Sequence, residues 1–130
     1  MTFRQLDSPS PLPVVLVAED DPAIRLLVTR VLQRAGYATE EAADGQEAID
    51  KIRAKRISAI VLDLMMPRVS GFDVLAFLKA HMPGRKCVIV LSAAAQHLID
   101  GLDDDLIYAR FRKPFEIDAI VDTVRQCVGA

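Results

Sequence analysis

The chain is short of cysteine, of long apolar runs and of net charge, and each shortage closes off a class of protein. Its two cysteines, Cys87 and Cys127, lie far apart and match no metal-ligand spacing. One sits in an apolar run and the other at helical spacing near the C-terminus, so two buried, reduced thiols and an intracellular compartment are expected. No apolar stretch approaches the roughly 20 residues that span a bilayer. The polar, proline-rich N-terminus lacks the apolar segment of a signal peptide. A cytoplasmic protein with no membrane partner is the expectation. Sixteen basic against eighteen acidic residues leave a formal charge of −2. That is too balanced for direct nucleic-acid binding through a broad basic face. The six glycines, at 36, 45, 71, 84, 101 and 129, form neither a Walker loop nor a dinucleotide fingerprint.

What is present fits one compact domain. The chain has 130 residues, 52% of them apolar, enough for a core and too many for a disordered protein. Residues 1–13, ending Ser8-Pro9-Ser10-Pro11-Leu12-Pro13, read as an extended, flexible lead-in to a domain over 14–130. Val14 to Ala18, Ala59 to Leu62 and Cys87 to Leu91 are nearly continuous aliphatic runs, the mark of strands covered on both faces. Tyr37 to Ala42 and Ala109 to Arg112 are more polar and read as edge strands. Between them lie helical patterns. The first carries Ile24, Leu27, Val28, Val31 and Leu32, opened by Asp21-Pro22 and closed by Gly36. A second starts near Gly45, a third holds Phe72, Leu75 and Leu78, and a last one, started by Pro114, holds Ile117, Ile120, Val121 and Val124. For 93–108 a short helix and an acidic loop are expected. Strand and helix alternate five times, which calls for an open α/β sheet with helices on both faces.

The polar residues fall where the apolar runs stop. The first run ends in Glu19-Asp20-Asp21, the third in Asp63, the fourth in Ser92 and the fifth in Lys113-Pro114. In a parallel sheet these ends share one edge, where ligands of open α/β folds bind. Taken singly, each has a plain alternative: Asp21 as an N-cap, Glu19 and Asp20 as solvated acids, Ser92 and Lys113-Pro114 as helix starts. An aspartate ending a buried run is harder to dismiss, because such a carboxylate needs a partner. Carboxylates about 5 Å apart repel by on the order of 3 kcal/mol at an effective dielectric near 20. Three gathered together point to a cation, and hard oxygen ligands suit Mg²⁺.

These residues also match a family. Val15-Leu16-Val17-Ala18-Glu19-Asp20-Asp21-Pro22, Val61-Leu62-Asp63-Leu64-Met65-Met66-Pro67 with Gly71, Val90-Leu91-Ser92-Ala93 and Lys113-Pro114-Phe115 resemble the receiver domain of two-component response regulators. The match runs in order over 14–130. The resemblance implies a flavodoxin-like (βα)5 three-layer sandwich with a parallel five-stranded sheet of order 2-1-3-4-5. It also implies a phosphoacceptor at Asp63, served by a histidine kinase or histidine phosphotransfer protein. Asp20 would be a direct Mg²⁺ ligand, Glu19 a ligand through water, and the Met65 carbonyl a ligand beside Asp63. Ser92 and Lys113 would contact the phosphoryl group. Met65 and Ala94, each two residues after a site residue, would modulate its lifetime. Output would pass to a downstream protein or a second copy of the chain. The only chemistry would be the domain's own phosphorylation and dephosphorylation, so no enzyme in the ordinary sense is expected.

Three positions depart from the family pattern. Arg110 stands where an aromatic usually precedes the lysine by three residues, while Tyr108 and Phe111 are out of register. An arginine there is expected near the surface, within reach of Asp103 to Asp105, and Phe111 in the core. The segment 93–108 lacks the usual Gly-Ala pair, and Ser70 replaces an acid before Gly71.

Two rival readings are an aspartyl-phosphate phosphatase of the haloacid-dehalogenase type and a nucleotide- or flavin-binding module on the same topology. The first needs an aspartate two residues after the nucleophile, where this chain has Met65; the second lacks its glycine motif. Asp100 to Asp105 superficially resembles a calcium loop but lacks its glycine and distal glutamate. His81 and His97 have no matching ligands and read as surface residues.

Overall fold

The computed structural model describes residues 12–84, 87–93 and 105–129. Five parallel strands form the sheet: β1 (Val14–Ala18), β2 (Ala38–Ala42), β3 (Ala59–Asp63), β4 (Val88–Ser92) and β5 (Ile107–Arg112). Four helices lie among the described residues: α1 (Pro22–Arg34), α2 (Gly45–Ala54), α3 (Gly71–His81) and α4 (Ile117–Gly129). The strand order is β2-β1-β3-β4-β5, the flavodoxin-like order expected. The helix and acidic loop expected within 93–108 lie mostly outside the described residues, as do Ala94, His97, Asp103, Asp104 and nearly all of the N-terminal lead-in.

The sheet has two apolar faces because its inner strands alternate between them. Leu16, Ala18, Ile60, Leu62, Val88 and Val90 point to one side, against Ala48 and Ile52 of α2 and Val74 and Leu78 of α3. Val15, Val17, Ala59, Val61, Ile89 and Leu91 point to the other, against Val28 and Leu32 of α1 and Ile120 and Val124 of α4. β3 and β4 are buried along their whole length, whereas β2 and β5 are the half-exposed edges that their polar character requires. Phe111 packs against the α1/α4 core.

Local signals set the helix ends. Asp21 accepts the N–H groups of Ala23 and Ile24, Pro22 opens α1, and Gly36 follows its end at φ 102°. The last helix begins at Ile117, three residues beyond the expected Pro114.

The cysteines depart from expectation. Cys87 and Cys127 are joined as a disulfide, not held as separate thiols, and both are only half-buried. Cys87 lies just before β4 and Cys127 near the end of α4. Because α4 packs across the face that carries Ile89, 40 residues of chain collapse to a Cα–Cα distance of 5.8 Å. Spacing in sequence carries no trace of that contact, and the compartment read from reduced thiols loses its basis.

Candidate functional site

Strand register builds the site. Ala18 pairs with Leu62, so the next residue on each strand, Glu19 and Asp63, reach the sheet edge together. Asp63 pairs with Leu91, one residue before Ser92, and Ser92 pairs with Arg112, one residue before Lys113. The Lys113 N–H donates to the Ser92 carbonyl at 3.0 Å, tying the ends of β4 and β5.

The side chains meet as the register requires. Oxygens of Glu19, Asp20 and Asp63 lie within 4.8 Å of one another. Glu19 and Asp63 are buried at 0% and 1% exposure, while Asp20 is open to solvent. Lys113 Nζ sits 2.7 Å from Glu19 Oε1 and 3.3 Å from Asp63 Oδ2. The lysine therefore bridges two buried carboxylates and lies closer to Glu19 than to Asp63. Ser92 is fully buried at the same edge. Met65 donates its N–H to Asp63 Oδ1 at 3.2 Å and leaves its side chain 55% exposed. Arg110 is half-buried on β5 and Asp105 is exposed.

Burial sets the electrostatics. Desolvation, followed by the charge of Glu19, pushes the Asp63 carboxyl up from 3.8 to about 7, against the lowering effects of the Met65 N–H and Lys113. Burial works to lower the Lys113 ammonium, but its contact with Glu19 and the charges of Asp63 and Glu19 outweigh this and leave it raised. An acid cluster with one lysine is thus under-neutralised. Hard oxygens at this spacing, with one exposed acid to open the site to solvent, are a donor set that fits Mg²⁺.

Sequence reasoning missed Arg25. Its guanidinium donates to the Glu19 carbonyl at 2.8 Å and to Glu41 Oε1 at 3.1 Å, bracing the acidic loop against β2. Its place one turn into α1, beneath three acids, is the only sequence signal. It also passed over Asp44, although Asp44-x-x-Glu47 is a capping-box pattern.

Residues 15–125 match the model of the response regulator receiver domain. This chain belongs to that family. The sporulation initiation phosphotransferase F of Bacillus subtilis is 29% identical over 112 residues, covering 86% of this chain and 90% of its own length. Response regulator MprA of Mycolicibacterium vanbaalenii is 37% identical over 119 residues, covering 85% of this chain but 48% of its own, so the receiver spans about half of that relative. Among solved structures, the receiver domain of Francisella response regulator 1452 is 33% identical with a TM-score of 0.81, covering 90% of this chain and 97% of that one. TrrA of Thermotoga maritima, in complex with Mg²⁺-BeF, is 28% identical with a TM-score of 0.79, covering 89% and 99%. The receiver is a phosphoacceptor switch domain of two-component signalling, a regulatory and not a classical enzymatic role, and neither the phosphatase nor the nucleotide-module reading is favoured. Among the described residues, no helix is long and apolar enough to cross a membrane.

Proposed function

We propose that Asp63 accepts the phosphoryl group of this receiver. The observation that carries the reading is Lys113 Nζ between two buried carboxylates, 3.3 Å from Asp63 and 2.7 Å from Glu19. Acids so arranged repel one another unless cations offset them, and phosphoryl transfer needs cations at that place. One Asp63 oxygen attacks phosphorus, the bond from phosphorus to the donor's imidazole nitrogen breaks, and the imidazole leaves. Lys113 pairs with the oxygens of the transferred group, and the Ser92 hydroxyl donates to one of them. Glu19 and Asp20, with Asp63 and the Met65 carbonyl, would hold Mg²⁺. Bound there, the ion would supply positive charge to keep Asp63 ionised and to offset charge on the phosphoryl oxygens. The donor is a histidine kinase or histidine phosphotransfer protein in the cytoplasm. Residues 14–130 act as the receiver unit behind the lead-in 1–13, and the chain's only chemistry is on itself. Output goes to a protein target or a second copy, with no direct contact to nucleic acid.

Acetyl phosphate with Mg²⁺ should label the wild type, while Asp63→Asn should stay unlabelled and a chelator should abolish labelling. Equal labelling of the variant, or labelling that survives chelation, overturns the reading. Lys113→Ala should stay folded and lose most phosphorylation-dependent partner binding.

A further inference from the structure

We propose that Asp44, at the start of α2, is a positioning residue for the phosphorylation reaction, acting through Arg68 and the Gly45–Val69 backbone contact to fix the loop that follows Asp63. The inference rests on the assignment of Asp63 as phosphoacceptor.

The loop from Leu64 to Ser70 carries Met65, whose N–H holds Asp63. Its ends are closed by its own backbone: the Gly71 N–H donates to the Leu64 carbonyl at 3.0 Å, and a Cβ at Gly71 would lie 2.2 Å from the Asp63 carbonyl oxygen. That closure leaves the middle of the loop to be held from outside. The Gly45 N–H donates to the Val69 carbonyl at 2.8 Å, and a Cβ at Gly45 would lie 2.3 Å from the same oxygen. Beside it the Arg68 guanidinium donates to Asp44 Oδ2.

Two features show that this contact does more than end a helix. Asp44 already has a local task, accepting the Glu47 N–H on Oδ1 at 2.9 Å as the N-cap of α2. A cap needs one oxygen and is ordinarily open to water; here the Asp44 side chain is 2% exposed and its second oxygen is committed to Arg68, itself 72% exposed. Arg68 also adopts φ 62°, the left-handed region that a residue with a Cβ occupies only when its surroundings hold it there. Asp44 supplies that hold. No contact between Asp44 and Asp63 is needed: the loop transmits the constraint to Met65 and thence to the acceptor.

The test separates positioning from capping. Asp44→Asn keeps a capping oxygen and removes the charge, and Arg68→Ala alters an exposed side chain that leaves the cap intact. Mg²⁺ is titrated while the amide signals of Met65 and Gly71 are followed by NMR. Phosphorylation by acetyl phosphate is then measured against donor and Mg²⁺ concentration, well below the melting temperature. Both variants should stay folded and need about tenfold more Mg²⁺, as loss of a group behind metal ligands does. Arg68→Lys should recover most of the loss, and the double variant should be no worse than the poorer single one, because one interaction is removed twice. Lower melting with unchanged Mg²⁺ dependence and unchanged Met65 shifts would overturn the proposal and leave Asp44 a cap only. If wild type takes no label on Asp63, the phosphoacceptor assignment fails first and this inference falls with it. If Asp63 is labelled normally in all variants at every Mg²⁺ concentration, this inference alone fails.

Discussion

The ends of β1 and β3 bring acids to the same sheet edge, yet the loops that follow them are held by different means. In the first, Glu19 Oε2 accepts the Asp21 N–H at 3.1 Å, Asp21 caps α1, and Arg25 grips the Glu19 carbonyl, so most ties join residues within one helical turn or two. The strand β2 adds the rest, through the Ala42 carbonyl and Glu41. In the second, the decisive contacts reach back to the start of α2, 24 residues away in the case of Arg68 and Asp44. A loop built from local bonds tolerates loss of one side chain, because its backbone N–H groups continue to hold the acid. A loop built on close backbone approach has no such reserve, and the room it needs is set by glycine.

The largest expected break is Gly71→Ala. Its Cβ would meet the Asp63 carbonyl oxygen at 2.2 Å, backbone against backbone, with no flexible end to yield. The cost should be about 3 kcal/mol, as for overpacking of a tight site. Gly36→Ala sharpens the contrast, since nothing lies within 4 Å and only its φ of 102° is disfavoured; about 1–2 kcal/mol is expected there. Urea denaturation of the two variants checks the order, and equal losses would contradict it.

Next comes charge at the acceptor. With its carboxyl near 7 in the folded domain against 3.8 ordinarily, Asp63 binds its proton more tightly folded than unfolded. Its contribution to stability is therefore complete below pH 4 and is lost as pH rises through 7. In chelator, Asp63→Asn should melt a few degrees above wild type at pH 7.5, and the gap should close near pH 4. Mg²⁺ should narrow the gap at pH 7.5 by stabilising wild type alone. Calorimetry across pH checks this, and a gap independent of pH would exclude Asp63 as its source.

Asp21→Ala probes the local loop. Losing the cap should cost about 1 kcal/mol. The Asp21 N–H that holds Glu19 remains, so labelling of Asp63 should stay within about twofold of wild type. A large loss of labelling would show that the first loop depends on its side chains after all.

The same division explains what could be read in advance. Buried strands, their ends and the α1 caps are written in neighbouring residues: an aliphatic run, then a carboxylate, then Asp-Pro and Gly. Glu19, Asp63, Ser92 and Lys113 reach one edge because parallel register aligns strand ends, which follows from the order of the runs. Contacts that depend on helix packing left no such mark. Nothing near Cys87 announces Cys127, and nothing near Arg68 announces Asp44. Lys113 is expected to offset the carboxylate cluster at rest and to contact the phosphoryl group afterwards; that Glu19 is the nearer carboxylate depends on side-chain packing that residue spacing does not encode.

The smallest expected effect concerns a side chain on the long-range loop that the fold leaves free. Leu64 and Met66 are buried and anchor their segment, while Met65 between them is 55% exposed. The side chain at 65 can thus change chemistry without moving the backbone N–H that holds Asp63. A thioether offers water almost nothing to bond; an asparagine amide two residues after the acceptor would hold a water there. Phosphorylated Met65→Asn should lose its label several-fold faster, about 1 kcal/mol in the barrier, with its melting temperature nearly unchanged. Decay is followed after removal of the phosphodonor, at fixed Mg²⁺. Equal or slower decay would mean that water reaches the acyl phosphate from another side, and that Met65 matters only through its main chain.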